Sequence, residues 1–174
     1  MGLRDRLKRE TWPAHKRLDQ ALIKHDLTTQ LGLSSYLEVH YIARQTLNAT
    51  FSVTHKDSAL ELIRNDLTTL GVGEPLVLET DSFTNPHPVG LTYVIAGSSL
   101  GSKVLYKVWS RSLDETVKRA GKFMTFAKDS SDWKQFLAHI ESYKYSELEI
   151  IDIIKSANYC FSIFQTANDF INKG

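Results

Sequence analysis

The sequence predicts an all-α protein built as a single domain, residues 1–174, with six to eight helices. Apolar residues recur every three to four positions along most of the chain, which is the spacing of one helix face. All four prolines fall in the first half, so long helices are free to form after the last of them. The content of 42% hydrophobic and 24% charged residues is typical of a globular domain.

Charge and cysteine content exclude several classes of protein. The chain carries 21 Lys and Arg against 20 Asp and Glu, a net charge of +1, so nucleic-acid binding is not expected. Its only cysteine, Cys160, excludes a disulfide framework and predicts a reducing, cytoplasmic setting. Neither a signal peptide nor a membrane anchor is expected, because no stretch approaches the roughly 20 apolar residues of a membrane span.

The N-terminal segment is expected to be an amphipathic helix that packs on a core. Apolar residues repeat at helical spacing from Leu3 to Leu22. Pro13 belongs in the first turn of a helix, because proline lacks the backbone donor that an interior position needs. A break is therefore expected near residues 11–13, with a new helix that carries His15 in its opening turns.

Two capping boxes predict the next helices. Ser35 begins the run Ser-Tyr-Leu-Glu and is expected to open a helix that ends near His55. Ser58 begins the run Ser-Ala-Leu-Glu and opens a shorter helix. Gly71 can close that helix as a left-handed C-cap residue.

The rest of the chain is expected to be one irregular connection followed by helices. Residues 72–88 contain most of the turn-forming residues, and Leu76–Glu79 is the only strand-like stretch. Helical spacing resumes at Pro88 and again around Trp133. Ser146 then caps a long final helix.

Gly97 and Gly101 stand four residues apart inside a predicted helix, and therefore on one face. Each glycine costs a helix about 1 kcal/mol relative to alanine. Two explanations remain open from the spacing alone: close packing of another helix, or a flat ligand lying where a Cβ would collide. Residues 97–101 also match the G-x-S-x-G elbow of α/β-hydrolases. That motif needs a preceding strand in a parallel sheet, which this sequence does not predict.

His15 and Asp19 share one helix face, so that an imidazole and a carboxylate can meet. An exposed pair of this kind contributes little to stability. The alternative is a metal-ligating histidine whose second ring nitrogen donates to the carboxylate. The sequence contains no Glu-x-x-His, H-E-x-x-H, C-x-x-C, P-loop or G-x-G-x-x-G motif. A metal at His15 would therefore bring most of its own ligands, as haem iron does.

Three blocks of the sequence together resemble the haem oxygenases, especially the compact bacterial members associated with biliverdin supply. Leu3–Asp19 is similar to the proximal helix of that family, and Leu91–Leu105 resembles its distal helix, whose glycines lie over the haem. The remaining likeness is to the C-terminal helices: Gly121–Phe126 with Trp133 and Phe136, and Ala157–Phe164.

The resemblance implies a fold in which haem is sandwiched between the proximal and distal helices. Haem would be both prosthetic group and substrate, and it would be cleaved oxidatively to biliverdin, carbon monoxide and ferrous iron. The reaction needs O2 and an external reductase or a ferredoxin-type electron donor. The implied protein is thus an oxidoreductase that binds haem iron.

The resemblance also assigns roles to individual residues. His15 would ligate the iron through Nε2, and Asp19 would orient the ring through Nδ1. Gly97, Ser98 and Gly101 would form the catalytic, oxygen-binding side. The remaining haem contacts would be two lysines and a tyrosine at the propionates and one further distal serine: Lys8, Lys134, Tyr93 and Ser102.

Three positions depart from the family pattern. Ser102 stands where a second adjacent glycine is common, Ala96 where an acidic residue is frequent, and Ala138 where some members carry an arginine. A haem- or bilin-binding protein without turnover is therefore the alternative function. A different chemistry on a similar scaffold, as in thiaminase-like proteins, is disfavoured because Cys160 has no evident acid–base setting.

Overall fold

Eight α-helices make up the chain in the computed structural model, which describes residues 2–173. No strand occurs among these residues, so the predicted all-α class and helix count are confirmed. No helix of the described chain is long and apolar enough to cross a membrane. In chain order the helices are α1 (Leu3–Leu22), α2 (Gln30–Thr50), α3 (Ser58–Thr69), α4 (Pro88–Trp109), α5 (Glu115–Arg119), α6 (Lys122–Asp129), α7 (Asp132–Ser142) and α8 (Glu147–Lys173).

The long C-terminal helix α8 organises the core. It packs against α1, α2 and α4, and its buried residues join the larger of two hydrophobic clusters. The smaller cluster is built mainly from α2, α3, α5 and α6 and includes Trp109 from the end of α4. Burial of these apolar faces is the main stabilising contribution to the fold.

Helices α1 and α8 run in the same direction and touch along their lengths. Arg6 pairs with Glu147 near the start of both helices. The Nδ2 of Asn158 donates to the Glu10 carbonyl oxygen at 3.3 Å. Beyond the end of α1, the Nε2 of His25 lies 2.8 Å from Oδ1 of Asn168. Polar contacts thus fix the register of the two helices.

The predicted break in the N-terminal helix is wrong, because α1 is continuous through Pro13. Buried Leu7 and Leu18 anchor the helix on either side of the proline, and the Thr11 hydroxyl donates to the Leu7 carbonyl at 2.7 Å. Pro13 itself is exposed. Packing of α1 on the core therefore offsets the cost of about 3 kcal/mol that an interior proline imposes.

The predicted boundaries of α2 are also wrong. Its N-cap is Thr29, whose hydroxyl accepts from the Gly32 amide, so Ser35 lies inside the helix. The helix ends at Thr50 rather than near His55. Two Ser/Thr residues six apart both satisfy the capping preference, and apolar spacing alone does not choose between them.

The later helix ends agree better with the sequence. Gly71 has φ of 74° just after α3, as expected of a left-handed C-cap residue. Ser146 and Glu149 form the predicted capping box of α8, with the Glu149 amide donating to Oγ at 3.3 Å. The strand-like stretch Leu76–Glu79 is irregular.

His40 is a buried polar side chain in the middle of α2. Neither ring nitrogen has a hydrogen-bond partner among the described residues. Burial chiefly, and then the positive charges of Arg44 and His25, lower the pKa of His40 to about 3. Three aromatic rings surround the imidazole at centroid distances of 4.5 to 5.3 Å: Tyr36, Phe123 and Phe164.

Mild acid is expected to destabilise the protein through His40. An unfolded histidine has a pKa near 6.5, so between about pH 6.5 and 3 the unfolded chain binds more protons than the folded one. Stability should fall by about 1.4 kcal/mol per pH unit in that window. Urea unfolding of the parent between about pH 6.5 and 5 should show a loss of about 2 kcal/mol that His40→Leu lacks. Equal pH dependence in both proteins would contradict the assignment.

Candidate functional site

One face of α4 presents apolar surface to solvent. Gly97 and Gly101 lie one turn apart on it, and the exposed side chains of Leu100 and Val104 flank them, with 60% and 65% of their surface accessible. No described residue covers these two side chains. We refer to these four residues as the glycine face of α4. Contiguous apolar surface of this kind marks an interaction site.

The two glycines of this face are not required by packing inside the protein. A Cβ on Gly101 would have no neighbour within 4 Å, and one on Gly97 would make an ordinary contact of 3.6 Å with Trp133. By contrast, a Cβ on Gly90 in the same helix would lie 2.5 Å from the Ile153 carbonyl oxygen. Close packing against α8 thus explains Gly90 but neither of the others. Of the two explanations left open by the sequence, the geometry favours the ligand.

Helix α1 approaches α4 near this face. The Thr11 and Tyr93 hydroxyl oxygens lie 3.4 Å apart. His15 follows Thr11, and Gly97 follows Tyr93, by one helical turn of about 5.4 Å along each axis. The imidazole and the glycine face therefore border the same region between α1 and α4.

The His15 ring is held by aromatic neighbours but remains accessible. It stacks on Phe161 from α8 with centroids 5.2 Å apart and meets the edge of Trp12 at 5.9 Å. Its side chain is 43% exposed. A half-covered imidazole with a fixed ring plane suits a single-ligand role toward an incoming metal complex.

The expected pairing of His15 with Asp19 is present, but through the other nitrogen. Nε2, not Nδ1, lies 3.3 Å from Oδ2 of Asp19. Nε2 is at the tip of the ring and reaches one turn along the helix more easily than Nδ1, which lies beside the backbone. Ligation of iron through Nε2 therefore requires another rotamer of this pair.

The two serines of the distal segment occupy different positions. Ser98 is exposed, and its hydroxyl donates to the Ile95 carbonyl at 2.7 Å, which leaves its oxygen lone pairs as acceptors. Ser102 is buried, and its hydroxyl donates to the Ser98 carbonyl at 3.1 Å. Since consecutive residues are about 100° apart around a helix, Ser102 points away from Gly101. The structure does not place Ser102 on the glycine face, contrary to the sequence-based expectation.

The predicted propionate partners lie on the helices that border the site. Lys8 is exposed on α1, two turns before His15, and Lys134 is exposed on α7 beside Trp133. Neither lysine makes a hydrogen bond or ion pair with any described residue. Tyr93 contacts the Trp133 ring, with centroids 5.8 Å apart. Their role toward an anionic ligand stays a prediction.

Sequence reasoning gave no role to three residues that shape this region. Thr11 joins α1 to α4, Trp133 covers Gly97, and Phe161 supports the His15 ring. Thr11 stands four residues before His15, a signal that the sequence does contain. The partners of Trp133 and Phe161 lie far away in the chain, and helical spacing carries no information about them.

The donor set around His15 limits which metal complex can bind. No group of three His, Cys, Asp or Glu side chains able to hold a metal ion occurs in residues 2–173. A metal bound at His15 would thus take its other ligands from a prosthetic group. Haem iron, with four porphyrin nitrogens, meets this condition, and a flat macrocycle matches a face without Cβ atoms.

Comparison with known proteins supports the fold. No protein-family model matches the sequence, and no curated protein matches it. Among solved structures, the NO- and CO-bound haem oxygenase from Neisseria meningitidis matches with a TM-score of 0.78 over 98% of this chain and 92% of that chain. The sequence identity is 15%. The chain described here therefore has the all-helical fold of that haem oxygenase.

Proposed function

We propose that the protein is a haem oxygenase that binds haem between α1 and α4 and cleaves it to biliverdin, carbon monoxide and ferrous iron. The observation that carries the proposal is the glycine face, where the Cβ of Gly101 would meet nothing within 4 Å while exposed apolar side chains surround it. The similarity of fold over 98% of the chain supports it. In this proposal residues 1–174 act as one cytoplasmic domain.

The residues of α1 would hold the iron side of the ligand. His15 is the proposed axial ligand, because its ring is half exposed and held against Phe161. Asp19 would accept a hydrogen bond from the other ring nitrogen, which fixes the tautomer and orients the ring. Lys8 and Lys134, with the Tyr93 hydroxyl, would neutralise and bind the propionates.

The residues of α4 would shape the oxygen-binding side. Gly97 and Gly101 let the ligand plane approach the helix backbone, and Leu100 and Val104 exclude part of the solvent. The glycine face bears no histidine or carboxylate, so polar contacts on this side come from the Ser98 hydroxyl, the backbone and water. Haem, when bound, supplies the iron that activates O2 and is itself the molecule cleaved.

A haem or bilin carrier on the same scaffold is the second candidate. It would use the same glycine face and the same histidine, so the structure alone favours neither turnover nor storage. A thiol-dependent enzyme is disfavoured, because Cys160 lies in the core and burial raises the pKa of its thiol.

A haem titration in the presence of ascorbate and air separates these functions. The oxygenase should bind one haem per chain, lose its Soret band after reduction and develop the absorption of biliverdin. A stable oxygenated haem spectrum would identify a carrier instead. No binding of haem would refute both functions. Apomyoglobin, titrated in parallel, controls for haem that reacts with ascorbate without enzymatic help.

A further inference from the structure

A second surface of the molecule, away from the glycine face, has the features of a docking site. It is a groove formed where α3, α5, α6 and the end of α4 meet. Three cationic side chains border it and no acidic residue lines it. The principal lining residues are Lys118, Arg119, Lys122, Leu62, Trp109 and Phe126.

The charge of this region contrasts with that of the whole chain. Residues 111–128 contain five Lys and Arg but only two Asp and Glu, whereas the full chain has a net charge of +1. Lys118 pairs with Glu115 at 2.8 Å, but the pair is exposed and such pairs are weak. Lys122 makes no side-chain pair with any described residue. The groove therefore presents local positive potential.

The apolar floor of the groove is rigid. The indole Nε1 of Trp109 donates to the Val117 carbonyl at 3.0 Å, which fixes the ring. Gly121 lies directly against this indole, since a Cβ there would be 2.2 Å from its Cζ2. The buried Asp66 carboxylate accepts the amides of Lys122 and Phe123 at 3.1 and 2.8 Å, so α6 is tied to α3. A preformed surface of this kind costs little ordering on binding.

The arrangement of apolar centre and charged border is that of a protein interface. Phe126 is 41% exposed beside the buried Trp109, and aromatic residues at the centre of a charged rim are typical binding anchors. Trp109 lies at the bottom of a concave surface, where it cannot insert into a bilayer. The cations border a short groove rather than a long stripe that would follow a nucleic-acid backbone.

We propose that this groove docks an acidic protein. The partner would place an apolar side chain on Trp109 and Phe126 and carboxylates opposite Lys118, Arg119 and Lys122. The partner's role rests on the proposed function, under which the acidic protein is the electron donor. Trp109 follows Gly101 by eight residues of α4, about 12 Å along the helix axis, so a partner docked there sits near one end of the proposed haem site.

The test compares two sources of electrons for the haem-loaded protein. One is a plant-type [2Fe–2S] ferredoxin, which is acidic, reduced by NADPH and its reductase; the other is ascorbate, which needs no docking site. The groove variant is Lys118→Glu, Arg119→Glu and Lys122→Glu together. The matched control reverses three exposed lysines outside the groove and the haem site: Lys24, Lys144 and Lys155, each to Glu.

The ferredoxin-driven rate of haem loss should fall about tenfold or more in the groove variant and should decline with added salt in the parent. The ascorbate-driven rate should stay within about twofold of the parent, since no protein docks in that reaction. An unchanged ferredoxin-driven rate, or an equal fall in the control variant, would overturn the groove proposal and leave the proposed function intact.

Failure of the proposed function would be recognised separately, as a parent protein that does not consume haem with ascorbate. The groove is then tested by titrating the same ferredoxin into the isotope-labelled protein. Amide shifts confined to α5, α6 and the Trp109 indole would support docking. Absent shifts, shifts elsewhere, or binding to phosphatidylglycerol vesicles that the groove variant loses would overturn it.

Discussion

Haem bound to a His15→Ala variant is expected to lose its histidine-ligated absorption spectrum and to be released at least about 100-fold more readily than from the parent. Replacement of residues that only support a metal ligand already costs about 10- to 100-fold in affinity, so loss of the ligand itself should cost at least as much. Turnover should be abolished. The measurements are the absorption spectrum and the rate of haem transfer to apomyoglobin.

Two further variants separate the role of His15 from its packing on Phe161. Added imidazole should restore the ligated spectrum of His15→Ala, which a purely structural defect would not permit. His55→Ala, at an exposed position between α2 and α3, should behave as the parent does. A normal haem spectrum in His15→Ala would remove this residue from the site, and the glycine face would then need another source of an axial ligand.

Substitution of Gly101 is expected to affect stability and haem binding in opposite directions. Gly101→Ala should raise the free energy of unfolding by about 0.5 to 1 kcal/mol, because alanine is the better helix former and its Cβ would meet nothing. Gly101→Leu should remain folded and at least as stable, yet its side chain should occupy the space above the glycine face and block haem. Urea unfolding and haem titration measure the two effects.

Gly90→Ala is the matched control for this prediction. It lies in the same helix, but its Cβ would come within 2.5 Å of the Ile153 carbonyl oxygen. Overpacking of this kind should destabilise the protein by about 1 to 3 kcal/mol. If Gly101→Ala were destabilising to the same degree, Gly101 would be a packing residue, and the proposed ligand face would lose its main support.

Local signals in the sequence predicted much of the fold. The eight helices follow from apolar spacing, and the left-handed Gly71 and the Ser146 box follow from residue preferences that act over a few positions. Errors arose where tertiary contacts decide the outcome. Pro13 stays within α1 because distant side chains hold both sides of it, and Thr29 rather than Ser35 caps α2.

The candidate site shows the same division. The common face of Gly97 and Gly101 follows from their spacing, whereas the fact that a Cβ at Gly101 would meet nothing depends on where every other helix lies. Ser102 was grouped with them because it is adjacent in sequence, but adjacency in a helix means a turn of about 100°. The choice of Nε2 at Asp19 depends on side-chain reach, which residue identity does not encode.

The pairing of α1 with α8 has a consequence for how the protein is made. The contacts Arg6–Glu147, Glu10–Asn158 and His25–Asn168 join residues 141 to 148 positions apart. Closing so long a loop is entropically costly, and contacts of this range form slowly. During synthesis the first helix must wait, with Leu7 and Leu18 unburied, until nearly all of the chain has left the ribosome. A nascent chain therefore has a histidine but no aromatic support for it, and haem capture is confined to the finished protein.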